Sequence, residues 1–136
     1  MSHFTKIDKA NIVDVKAFAS ACEELGFTGI KFDVEITDYF GSKITVCVAV
    51  PIGRYDIALQ KNSNDTYDMV ADWWGVMREK LPSQIKNCRT EEDIQNLILK
   101  HTTKNTIVNN YRRQGYRASV REDEEENLHV ELSRYR

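Results

Sequence analysis

The 136-residue chain reads as an α+β protein, a mainly antiparallel sheet with two helices packed on one face, in the order β-α-β-β-β-β-α-β-β. Three observations predict it. Apolar and polar residues alternate in several short runs between residues 30 and 74, with turn clusters between them. Two longer stretches carry apolar residues at three- and four-residue spacing, one near the start and one after residue 90. A last pair of alternating runs closes the chain. A ferredoxin-like version of this architecture fits the same order.

Each element has its own reasons. Residues 3–7 alternate weakly and suit a first strand. Ile12, Val15, Phe18, Ala19, Cys22 and Leu25 share one helical face. Asn11 is the expected N-cap, with Asp14 three residues on, and Gly26 is the expected left-handed stop. Ile30, Phe32, Val34 and Ile36 alternate with Lys31, Asp33, Glu35 and Thr37, so one face is expected in the core. Gly41-Ser42 is a turn. Ile44, Val46, Val48 and Val50 follow, with small or apolar residues on the second face as well. Pro51-Ile52-Gly53 ends that run. Tyr55, Ile57 and Leu59 form the next strand, Asn62 to Asp65 a turn, and Tyr67 to Trp74 the returning strand.

Residues 76–90 lack a pattern, contain Pro82, and read as a connection with a helical turn. Thr90 followed by Glu91, Glu92 and Asp93 is a helix start. The apolar stripe of that helix runs to Gly115, with a bend expected at Thr102 to Thr106, where helix propensity is weak. Tyr116, Ala118 and Val120, then Leu128, Val130 and Leu132, make a hairpin around an acidic loop.

Bulk composition narrows the function classes. The length suits one domain. Hydrophobic residues are 41% and charged residues 29%, which suits a packed core and excludes disorder. A net charge of −2 offers no general attraction to nucleic acid or anionic membranes. No apolar run reaches the ~20 residues a bilayer crossing needs, and the N-terminus has no signal-peptide core. A cytoplasmic location is the expectation. Cys22, Cys47 and Cys88 are odd in number and widely spaced, as reduced, mostly buried thiols would be.

Val70-Ala71-Asp72-Trp73-Trp74-Gly75 is the densest candidate site. It holds both tryptophans. On an extended strand, neighbours point to opposite faces. Trp73 then shares the face of Tyr67, Met69 and Ala71 and belongs to the core. Trp74 with Asp72 is left for the surface. Asp72 beside an indole could be desolvated and act as acid or base, or could simply accept backbone hydrogen bonds. His3, on the first strand, could face this segment, and Tyr55 could close a pocket with it. His101 reads as a half-buried core histidine and His129 as exposed. No short His/Cys spacing marks a metal site, and no phosphate loop or nucleophile elbow is present, so no metal or cofactor is expected. Lys100, Lys104, Arg112, Arg113, Arg117 and Arg121 form a basic band, followed at once by the acidic run Glu122 to Glu126, which would repel phosphate.

Several of these segments occur together in a known family. The opening Met-Ser-His-Phe-Thr, the helix ending in Leu25-Gly26-Phe27, Tyr55-Asp56-Ile57-Ala58-Leu59, Tyr67 to Gly75, and Gln114-Gly115-Tyr116 resemble the hypothetical chloroplast reading frame thirty-five family of cyanobacteria, algal plastid genomes and other bacteria. Residues 76–92 are the least similar. A plastid member would sit in the stroma. The resemblance implies no activity, cofactor or catalytic residue. Family members carry a tryptophan close to the C-terminus where this chain has Tyr135.

Three functions follow, in order of support. The first is a non-catalytic binding or accessory module acting through a protein partner or self-association, with one indole uncovered. The second is a small-molecule binder or enzyme with a pocket of His3, Tyr55, Asp72, Trp73 and Trp74. The third is nucleic-acid binding through the basic band, disfavoured by the acidic run beside it.

Overall fold

The computed structural model describes residues 5–37, 41–85, 87–125 and 127–134, the stretch before Ile12 by its backbone alone. Seven strands and three helices lie within these residues. They are β1 (Thr5–Ile12), α1 (Val15–Glu24), β2 (Lys31–Thr37), β3 (Lys43–Ile52), β4 (Tyr55–Lys61), β5 (Tyr67–Ala71), α2 (Trp73–Val76), α3 (Glu91–Arg113), β6 (Tyr116–Glu122) and β7 (Leu128–Arg134). The order of strands and long helices is the expected one, and the class is α+β.

β1 to β5 form one antiparallel sheet in the spatial order β1-β5-β4-β3-β2. Four strands follow one another as hairpins, and β1 returns to the free edge of β5 by way of α1. Among the described residues, β6 and β7 pair only with each other. This corrects the ferredoxin-like expectation, because no strand after the long helix re-enters the main sheet.

α1 and α3 pack against each other and onto one sheet face. Phe18, Cys22, Ile94 and Ile98 from the helices meet Val48, Val50, Ile57, Leu59 and Met69 from the strands, all of them fully buried. Cys22 is inert there: burial, with help from the neighbouring Glu23 charge, pushes its thiol up to about 12.

The N-cap of α1 is Asp14, whose Oδ1 accepts from the Ala17 amide at 3.0 Å, because β1 runs on through Asn11 and leaves Asn11 in a strand. Gly26 ends the helix as expected at φ +95°. α3 starts at the expected cap, Thr90, which forms a reciprocal capping box with Asp93. It runs unbroken through residues 102–106. Thr102 and Thr106 donate to carbonyls one turn back, and Asn105 Nδ2 donates across to the Ala17 carbonyl of α1 at 3.2 Å. Small polar residues, weak helix formers in isolation, let two helices approach closely here. Tertiary packing overrides propensity.

β2 also departs from simple alternation. Asp33 has φ +52°, and the β2–β3 pairing skips the rung between Asp33 and Cys47. Cys47 and Val48 both pack toward the main core, whereas Val46 and Ala49 both join a second small cluster with Ile36 and Ala58. The strands switch faces at this kink. Phe32 is therefore 53% exposed rather than buried, and Val34 and Ile36 belong to the second cluster.

Candidate functional site

The double-tryptophan segment is not a strand. β5 stops at Ala71, and Asp72 caps the one-turn helix α2, with Oδ1 accepting from the Gly75 amide at 3.1 Å. The sequence carries the signal for this, a short acidic side chain three residues before a glycine amide. The expectation of opposite strand faces is thus replaced by a helical turn, in which successive residues point about 100° apart.

The division of the two indoles nevertheless holds. Trp73 is 3% exposed and packs in the main core. Trp74 is 46% exposed. Asp72 does not share that surface, being only 2% exposed. Its Oδ2 and the Trp73 Nε1 are both buried with no hydrogen-bond partner among the described residues. Such groups cost stability.

Tyr55 comes from the start of β4, and its ring lies flat on Gly75. A β-carbon at Gly75 would sit 2.2–2.4 Å from three ring carbons, so only glycine fits. The structure thus gathers Tyr55, Asp72, Trp73 and Gly75 into one packed unit and leaves Trp74 outside it. His3 lies outside the described residues. Arg78 is the residue the sequence reading missed. Its guanidinium carbon stands 3.9 Å above the centre of the Trp74 ring. The four-residue spacing from Trp74 is the clue, visible only once the segment is read as a helical turn.

The next residue ties the site to the β3–β4 turn. Glu79 Oε1 is 3.5 Å from both the Arg54 amide and its Nε. Gly53 has φ +59° in that turn, and the Glu79 side chain occupies the space a β-carbon would need. A shallow depression of about 270 Å³ opens beside it, lined by Phe27, Pro51, Ile52, Lys80 and Leu81 among others. A second, of about 370 Å³, lies at the start of α1 beside Lys16 and Arg113. Neither is lined by Tyr55, Asp72 or either tryptophan. Asp56, next to Tyr55, has its carboxyl raised by burial, with Lys31 acting against the shift. Among the described residues no three His, Cys, Asp or Glu side chains converge as metal ligands.

The basic band is largely engaged. Lys100 pairs with Glu122 at 3.2 Å and Arg121 with Glu131 at 3.1 Å. Arg112 donates to the Ala118 carbonyl at 3.2 Å, and Lys104 pairs with Glu24 of α1. His101 is also bound there, with Nδ1 3.0 Å from Glu24 Oε2. Burial alone would raise the Glu24 carboxyl, but hydrogen bonds from Lys104, His101 and Asn105 outweigh it and hold the group below its usual value. His129, expected exposed, is half-buried, with Nε2 2.7 Å from Asp123 Oδ2. That hydrogen bond, with the Asn127 and Glu125 amides, lowers the Asp123 carboxyl. No helix among the described residues is long and apolar enough to cross a membrane.

No curated protein and no solved structure matches the chain. Residues 21–130 match the family described as proteins of unknown function DUF1257, a span that takes in α1 from its second turn, the tryptophan segment and all of α3. With most of its length so matched, the chain belongs to the DUF1257 family.

Proposed function

We propose that the chain is a non-catalytic binding module that works as an accessory subunit, docking a protein partner on Trp74 and Arg78. The observation that carries this reading is the uncovered Trp74 indole beside a fully buried Trp73, with a guanidinium stacked on its face. Tryptophan and arginine are the side chains that most often dominate contact energies. Stacking fixes both before a partner arrives, so less conformational freedom is lost on docking. The catalytic reading has less support, since one Asp72 oxygen serves a helix cap and the carboxylate is shut away from solvent. The nucleic-acid reading is weakened by the carboxylates and carbonyl that already hold Lys100, Lys104, Arg112 and Arg121.

A photo-reactive amino acid placed at position 74 tests the proposal in living cells. A discrete protein adduct is expected there and not from exposed Lys61, and Arg78→Glu should abolish it. Trp74→Ala should keep unfolding stability within about 1 kcal/mol of wild type, as surface changes do. Absence of an adduct at position 74, or equal adducts at both positions, rejects the reading. A small molecule that stabilises the wild type but not Trp74→Ala would favour the pocket alternative instead.

A further inference from the structure

The β6–β7 hairpin presents one apolar face, built from Tyr116, Ala118 and Val120 on one strand and Leu128, Val130 and Leu132 on the other. It lies along α3. Tyr116 meets Tyr111 edge-on with ring centres 5.6 Å apart, and Glu122 at the far end reaches Lys100. α3 leaves part of this face uncovered. Val120 and Leu132 remain 38% and 40% exposed, and Ile107 and Tyr111, on the α3 stripe that starts at Lys100, remain 39% and 37% exposed. A two-stranded sheet with a half-covered face is marginal on its own.

The charges around this face are polarised. At the base of the hairpin stand Arg112 and Arg134, with no carboxylate partner among the described residues. Arg134 sits over the Tyr116 ring at 5.5 Å. At the tip, Lys100 answers Glu122 and His129 answers Asp123, while the carboxylates of Glu124 and Glu125 have no ion-pair partner among the described residues. The two ends are ~20 Å apart, six strand steps. Such a surface repels a copy of itself laid parallel and attracts one laid antiparallel.

We infer that a second copy of this chain covers the α3–hairpin face, related by a two-fold axis, with the acidic tip of each copy on the basic base of the other. A two-fold contact is self-complementary, and this face meets that condition in one orientation. The contact buries Val120, Leu132, Ile107 and Tyr111 of both copies. It uses neither Trp74 nor Arg78.

Sedimentation of the full chain at low and high salt tests this. A dimer is expected, weaker at high salt. Glu124→Lys with Glu125→Lys should weaken it at least tenfold, and so should Arg112→Glu with Arg134→Glu. An equal mixture of these two variants should regain the dimer mass, because both contacts of the mixed pair join opposite charges. If the arginine variant loses its fold by circular dichroism, the glutamate variant, changed only in an exposed turn, still has to become monomeric. Trp74→Ala should dimerise like wild type, which separates a failure here from a failure of the partner-docking proposal. A monomeric wild type, a dimer indifferent to charge reversal, or a mixture that stays monomeric overturns the inference.

Discussion

The main sheet and the terminal hairpin obey the same alternating pattern and meet different fates. In β3 to β5, Val48, Val50, Ile57, Leu59 and Met69 pack into the main core with α1 and α3, and Val48, Ile57, Leu59 and Met69 lose all contact with solvent. In β6 and β7 the same alternation, with residues as apolar, leaves every described side chain half-buried or exposed. Alternation says which side chains share a face; it does not say whether a second layer exists to meet that face. The candidate site stands at the border between these outcomes. Trp73 belongs to the first region, and Trp74 behaves like the second.

Truncation should separate the two regions most sharply. Phe18→Ala, at the centre of the main core, should cost about 3–5 kcal/mol. Leu132→Ala, on the hairpin, should cost about 1 kcal/mol or less in a dilute sample, since much of its area is already in water. Urea titrations of both variants measure the contrast, and equal losses would erase the distinction between the regions.

The packed unit behind Trp74 gives the next largest effect. Gly75→Ala drives a methyl group into the Tyr55 ring. It should destabilise by about 1–3 kcal/mol, the usual cost of overpacking. Adding Tyr55→Ala should return part of that loss, and additive losses in the double variant would show that the two residues do not meet.

Asp72 sharpens the same border. Asp72→Ala removes the cap of α2 and should cost about 1 kcal/mol, whereas Asp72→Asn keeps a cap acceptor without placing a buried charge beside Trp73. Thermal unfolding of the two variants should therefore rank asparagine at or above wild type and alanine below it. The reverse ranking would require the carboxylate charge to be stabilising.

The smallest expected effect is acid sensitivity in the clasp between α1 and α3. Glu24 titrates lower when folded than when unfolded. Its contribution is fully present above the unfolded carboxyl value and disappears as pH falls through the folded one. Glu24→Gln should flatten that acid-side loss, and being half-exposed, the group should move it only modestly. An unchanged slope in pH-dependent urea titrations would remove Glu24 from the account.

How far the sequence could be read follows the reach of each interaction. Thr90 with Asp93 and the stop at Gly26 are local, since the residues that make them lie within four positions, and they were legible. The faces of Trp73 and Trp74 were legible too, although for a different reason than the structure gives. A strand puts neighbours at opposite faces, and a helical turn also separates them widely, so the conclusion survived the wrong element. The start of α1 was misplaced because Asn11 and Asp14 are both good caps, and only the length of β1 chooses between them. The kink at Asp33 and the unbroken passage of α3 through Asn105, which bonds Ala17 of α1, depend on partners far along the chain. Arg78 was missed because its contact with Trp74 exists only if the segment is helical.

Fluorescence quenching tests the central claim most directly, because each tryptophan can be observed alone. In Trp74→Phe the remaining Trp73 should emit at short wavelength and resist acrylamide. In Trp73→Phe the remaining Trp74 should emit at longer wavelength and be quenched readily, more so with Arg78→Ala. If Trp73 proves the more accessible of the two, the surface assigned here to a partner is not the one the protein offers.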